Sequence, residues 1–114
     1  MERTDRIEEE VKKVASKVIS QELKDPRLTA MISVTAVKVT KDLRYAKVYV
    51  SIFAKNEEEK KTNLEALKSA EGFVRKEIGH RINLRYTPQI IFELDDSIDY
   101  GMHIDSLIEK TRGK

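Results

Sequence analysis

The apolar positions of this chain change period several times, and each change marks an element. Between residues 5 and 24, Ile7, Val11, Val14, Ala15, Val18 and Ile19 recur at spacings of three and four, the repeat of one helix face. Asp5 stands where a cap would, with Glu8 three residues on in a capping-box-like arrangement. Asp25-Pro26 closes the segment, because the residue before a proline is pushed out of the helical region. The period then falls to two. Met31–Thr40 is rich in β-branched residues, and its alternation of Ile32, Val34 and Ala36 slips to Val37 and Val39. That slip predicts a bulge, or both faces partly covered. Tyr45–Ala54 alternates cleanly, with Ala46, Val48, Val50 and Ile52 on one face and Tyr45, Lys47, Tyr49 and Phe53 on the other. The short link Lys41-Asp42-Leu43-Arg44 predicts an antiparallel hairpin.

Helical periodicity returns over about residues 57–82, with Leu64, Leu67, Ala70, Val74, Ile78 and Ile82 on the core face. Glu57, Glu58 and Glu59 complement the positive end of that helix. Gly72 and Gly79 interrupt it. A glycine inside a helix costs about 1 kcal/mol relative to alanine, so Gly72 predicts a bend or a close backbone approach. Tyr86-Thr87-Pro88 breaks the stretch, and Gln89–Leu94 follows as a third short strand. Ser97 opens a last helix, about 97–110, carrying Ile98, Met102, Leu107 and Ile108. The order α-β-β-α-α-β-α predicts a single α+β domain over residues 1–114, a three-stranded sheet with helices packed on one face.

With 114 residues, 37% of them charged and 39% hydrophobic, the chain can bury its own core and reads as a small, very soluble globular protein. It has no cysteine, which excludes a disulfide framework and a thiolate metal site. No apolar signal region opens the sequence and no apolar run reaches membrane length, which points to a cytoplasmic protein without a membrane partner. The net charge of +2 is unevenly spread: residues 31–50 hold four cations against one carboxylate, while residues 89–114 hold three against six. A basic middle and an acidic end favour an anionic partner bound by one surface.

Little in the chain points to catalysis. His80 and His103 lie 23 positions apart with no triad around either. Asp95, Asp96 and Asp99 have ligand-like spacing, yet they straddle a strand-to-helix junction where Asp is a preferred cap. Neither glycine matches a nucleotide-binding loop. The expectation is therefore no enzyme, metal, cofactor or small-molecule substrate. The basic helix says more. Gly72, Arg75, Lys76 and Gly79 fall at i, i+3, i+4 and i+7 and share one face. Two of these positions lack side chains and two carry cations, so a phosphate can approach closely. Lys68, Arg81 and Arg85 lie along the same stretch, and Lys41, Arg44 and Lys47 come from the hairpin. These eight cations are the candidate RNA-binding residues. Tyr45, Tyr49 and Phe53 could form a stacking platform, but a composition with only 6% aromatics favours backbone and shape recognition.

Two stretches resemble a known family. VTKDLRYAKVYVSIF, residues 39–53, resembles the second-strand signature of the bacterial ribosome-binding factor A family. LKSAEGFVRKEIGHRINLRYTPQIIFELDDSIDYGMHI, residues 67–104, resembles its C-terminal signature, including Arg85-Tyr86-Thr87-Pro88 and Asp95-Asp96-Ser97. The resemblance implies a type II KH-like fold whose GxxG loop is replaced by an interhelical Ala-x-Gly kink, here Ala70-Glu71-Gly72. It further implies a factor, monomeric when free, that binds the small ribosomal subunit and its rRNA. Such a factor assists late maturation and 5′-end processing, matters for growth in the cold, catalyses nothing, and departs from the mature subunit. Some members carry a longer C-terminal tail than this chain, which ends at Lys114. Glu71 at the centre of the kink is ill suited to gripping RNA, so the kink reads as a hinge that aims the basic helix. Two alternatives stand beside this reading: a general KH-like RNA binder, and a protein-interaction module that dimerises through an exposed sheet edge.

Overall fold

The stripe of Ile7, Val11, Ala15 and Val18 is buried on one side of helix α1, Arg3–Lys17, in the computed structural model, which describes residues 3–95. The helix widens into π geometry over Val18–Glu22 before Leu23 turns extended. Asp5 lies in the first turn of α1 rather than at its cap. The Glu8 carboxylate accepts the Val39 N–H at 2.8 Å. Asp5 thus does not stand at the cap where it was expected, because the helix begins earlier, and Glu8 serves a strand edge.

β1 (Met31–Val39) and β2 (Tyr45–Phe53) form an antiparallel pair. The slipped alternation is a bulge at Thr35: Val34 pairs with Val50, and Ala36 with Tyr49. The extra residue lets Val34 and Val37, three apart, both face the core. The Thr35 hydroxyl donates to the Asp95 carboxylate and lies 3.3 Å from the Tyr49 carbonyl oxygen. In the hairpin turn, Asp42 Oδ1 accepts from the Thr40 hydroxyl at 2.7 Å and from the Arg44 N–H at 3.1 Å. Leu43 adopts a left-handed backbone with φ 61°. That conformation costs a leucine about 1–2 kcal/mol, offset in part by packing of its side chain against the core.

The helical stretch over about 57–82 is divided into two helices, in agreement with the expected order: α2, Glu57–Ser69, and α3, Glu71–Arg81. Asn56 caps α2, its side-chain oxygen accepting the Glu59 N–H at 2.7 Å. The break falls at Ala70, with φ −93° and ψ 3°, whose N–H is shared between the Ala66 and Leu67 carbonyls at 3.2 and 3.0 Å. Gly72 sits beyond the break, in the first turn of α3, and a Cβ there would meet nothing within 4 Å. The bend therefore does not depend on that glycine's missing side chain.

β3, Gln89–Leu94, runs parallel to β2 from Tyr45↔Gln89 to Val50↔Leu94, giving the order β1-β2-β3 among the described residues. Val48, Val50 and Phe92 from the sheet meet Val11, Val18, Leu67, Val74 and Ile78 from the helices in one core, all fully buried. The result is an α+β layer structure with the described helices on one sheet face. Asn63 is buried beside this core and fully bonded. Its Oδ1 accepts the Thr29 and Ala30 amides at 3.0 and 3.1 Å, and its Nδ2 donates to Thr29 Oγ1 and the Glu59 carbonyl at 3.2 and 2.8 Å.

Each outer strand has an outward amide taken up by a helix glutamate. Gln89 N and Asp95 N bond to the carbonyls of Arg44, just before β2, and Val50, on it, so by alternation the Phe92 peptide groups face outward. Glu71 Oε2 accepts the Phe92 N–H at 2.8 Å, and Lys68 Nζ donates to the Phe92 carbonyl at 2.9 Å. Glu8 does the same for Val39 on the other edge. Occupied edges resist pairing with a second sheet. The expected last helix, 97–110, with Asp96, Asp99 and His103, lies outside the described residues.

Candidate functional site

The parallel pairing of β2 with β3 brings the hairpin turn to the start of β3, where Gln89 N bonds to the Arg44 carbonyl at 2.8 Å. α3 packs alongside. Between them lies a groove of about 590 Å³ walled by Asp42, Leu43, Arg44 and Tyr45 on one side and Arg75, Tyr86, Thr87 and Gln89 on the other. Thr87 lies over α3, and the chain is anchored there and at the next residue. Arg75 donates from Nε and Nη2 to the Thr87 carbonyl at 3.2 and 3.0 Å. Thr87 Oγ1 lies 2.9 Å from where a Gly79 side chain would begin. Pro88 is fully buried. Gly79 is thus a close-approach glycine, but what approaches it is the protein's own loop.

The eight expected cations are divided by the fold. Arg44 and Arg75 line the same groove. Arg75 spends two of its five guanidinium N–H donors on Thr87, and the rest remain for an anion. Arg44 makes a loose 3.7 Å pair with Asp42 and is 78% exposed, so it can swing to a stronger partner. Arg85 lies over the Tyr86 ring, 5.8 Å from its centroid. Lys41, in the turn, and Lys76, beside Arg75, are exposed. The other three are committed elsewhere. Lys47 pairs with Glu93 at 3.5 Å, Lys68 holds the Phe92 carbonyl, and Arg81 bonds to Glu22 and, at 2.8 Å, to Glu77. The face of Gly72, Arg75, Lys76 and Gly79 is therefore interrupted at Gly79, where the loop already sits.

Electrostatics follow these contacts. The Thr40 hydroxyl, then the Arg44 amide, hold the Asp42 carboxyl below its ordinary value of 3.8, so the groove rim carries one fixed negative charge among cations. The Arg81 guanidinium holds Glu22 below 4.5 and is itself raised by that bond. Sequence reasoning missed Tyr86 and Gln89 as groove residues, having read 86–88 as a breaker and as part of a family signature. The aromatic stripe separates: Tyr45, 42% exposed, lines the groove, while Phe53 sits at the far end of β2 opposite Met31. Among the described residues no group of three His, Cys, Asp or Glu could hold a metal ion, and no helix is long and apolar enough to cross a membrane.

Comparison with known proteins gives a consistent picture. A family model described as Ribosome-binding factor A matches residues 3–108. A ribosome-binding factor A of Clostridium beijerinckii is 71% identical over 105 residues, covering 92% of this chain and 89% of the relative. One from Clostridium botulinum is 69% identical over 109 residues, covering 96% and 94%. Among solved structures, the crystal structure of Thermus thermophilus ribosome-binding factor A aligns with TM-score 0.68 at 30% identity, covering 82% of this chain and 97% of that one. A homology model of the Thermus protein, fitted into a cryo-EM map of a 30S–RbfA complex, aligns with TM-score 0.65 at 31% identity, covering 80% and 93%.

Proposed function

We infer function from one premise: the chain belongs to the ribosome-binding factor A family. We propose that it binds the small ribosomal subunit and its rRNA as an assembly factor, aiding late maturation and 5′-end processing, with its greatest importance in the cold. The observation that carries this is the family match across residues 3–108, joined by the Thermus homologue fitted on a small subunit. The fold reading that goes with it is a type II KH-like domain. The α1-β1-β2-α2-α3-β3 order and the parallel β2–β3 pair support it. Ala70-Glu71-Gly72 would stand for the family's interhelical kink, with Ala70 as the break and Glu71 fastened to β3.

The mechanism is electrostatic and needs no catalysis. Arg44, Arg75, Lys76, Lys41 and Arg85 neutralise phosphates around the groove, and binding favours the RNA conformer that presents them correctly. Lys68, Arg81 and Lys47 already hold intramolecular partners and contribute less. A cytoplasmic, monomeric protein fits this role, and the bonded strand edges argue against pairing through the sheet. Co-sedimentation with free small subunits and with whole ribosomes, across salt concentrations, tests the reading. The expected result is salt-sensitive binding to free subunits that weakens in Arg44→Ala/Lys76→Ala. Equal affinity for unrelated structured RNAs would point instead to a general RNA binder.

A further inference from the structure

Tyr86 is 72% exposed and directly precedes an anchored pair of residues. The next residue, Thr87, is fixed through its carbonyl by Arg75 and through its side chain against Gly79, and Pro88 is fully buried. An aromatic held out in water beside such an anchor gives the fold little apolar burial. It is, however, a preorganised face, and Arg85 lies over that ring, 5.8 Å from its centroid. Tyr45, 42% exposed and register partner of Gln89, lines the same groove. The guanidinium-bearing Arg44 and Arg75 line the same space.

We propose that this groove takes one unpaired nucleotide of the bound RNA, its base stacked on Tyr86 and its phosphate between Arg44 and Arg75. The proposal deepens the RNA-binding reading above and rests on it. One observation favours a single nucleotide over a duplex. Exposed aromatics beside arginines are the usual chemistry for splayed-out RNA bases, whereas duplex RNA is met mostly by shape and by phosphate and 2′-hydroxyl contacts, and Tyr86 and Tyr45 line this groove together with Arg44 and Arg75. The Gln89 carboxamide offers both a donor and an acceptor to a base edge. Asp42 Oδ1 is taken by the Thr40 hydroxyl and the Arg44 amide.

The test uses the whole chain and two RNA hairpins, one with a single bulged 2-aminopurine and one fully paired. Binding is read by anisotropy, and stacking by quenching of the bulged base. The wild-type protein is expected to prefer the bulged hairpin and quench its emission. Tyr86→Leu should lose the quenching and weaken binding of the bulged hairpin about tenfold, within the usual worth of a base–aromatic stack. Its affinity for the paired hairpin and its salt slope should not change, and Tyr86→Phe should behave as wild type. If Tyr86→Leu keeps both the quenching and the preference, the nucleotide site is wrong while RNA binding stands. If the wild-type protein binds free small subunits in a salt-dependent way but shows no preference for the bulged hairpin, the nucleotide site is wrong; if it binds neither the hairpins nor free small subunits, the RNA-binding reading falls, and this proposal with it.

Discussion

Replacing Gly79 with alanine sets two effects of similar size against each other. Alanine in place of a helical glycine gains about 1 kcal/mol of helix propensity. At Gly79 the new Cβ would stand 2.9 Å from Thr87 Oγ1, closer than carbon and oxygen tolerate. The helix backbone cannot yield easily, so Thr87 must rotate or its loop must lift. Thr87 is β-branched and anchored by Arg75 and by buried Pro88, so relief comes as an off-rotamer side chain costing about 0.5–1.5 kcal/mol. The net change in the wild-type background is expected to be about zero. In a Thr87→Ala background the obstacle is gone, and Gly79→Ala should stabilise by about 1 kcal/mol, or about 4–8 °C in melting temperature for a domain near this size. Gly72→Ala, where a Cβ meets nothing within 4 Å, should stabilise equally in both backgrounds. Thermal unfolding by circular dichroism of the full cycle measures the coupling. Equal gains from Gly79→Ala with and without Thr87 would refute the claim that Thr87 sits on this face of α3.

Asn63→Leu leaves the part-buried Thr29 and Ala30 amides without their acceptor; each costs less than a fully buried orphan, about 1–3 kcal/mol, so urea unfolding should show a loss of about 1–3 kcal/mol in total. A near wild-type midpoint would show that water replaces the side chain. Glu71→Ala frees the Phe92 amide on the β3 edge, so hydrogen exchange there should accelerate relative to central β2, and the melting temperature should fall; unchanged protection at Phe92 would contradict the edge contact. Glu22, Asp25, Asp42 and Glu59 all have depressed carboxyl pKa values. Groups of this kind stabilise above their ordinary values of 3.8–4.5 and lose that effect as the pH falls through the lower native values. The melting temperature should therefore hold from neutrality to about pH 5 and drop below about pH 4.5, and Glu22→Gln should shrink the drop.

The elements were legible because burial imposes periodicity. The Ile7–Val18 stripe, the slip at Val34–Val37 and the clean alternation of β2 each correspond to an observed helix, bulge or strand. The residues alone placed the bend at Gly72 rather than at Ala70, since alanine is the best helix former and carries no breaking signal; the resemblance placed it over Ala70-Glu71-Gly72. Leu43 hid a left-handed turn in the same way, where glycine or asparagine would have announced one. Gly72 and Gly79 look alike in sequence yet differ in the fold, one open and one against Thr87. The site was only partly legible because charge can be read from sequence and its partners cannot. Lys68 finds the Phe92 carbonyl 24 positions away, and Arg81 finds Glu22 59 positions away. Tyr86 was masked by its neighbour Pro88, which marks a break whatever stands before it.

The central claim is that cations around the 41–44 turn and α3 hold the small subunit's RNA. The most direct test is the salt dependence of binding to purified free small subunits for wild type, Arg44→Ala/Lys76→Ala, and Lys68→Ala. The account predicts that the double variant binds more weakly, with a log–log salt slope shallower by about 0.7–0.9 for each phosphate contact removed, while Lys68→Ala keeps the wild-type slope. An unchanged slope in the double variant, or a slope lost in Lys68→Ala alone, would contradict it.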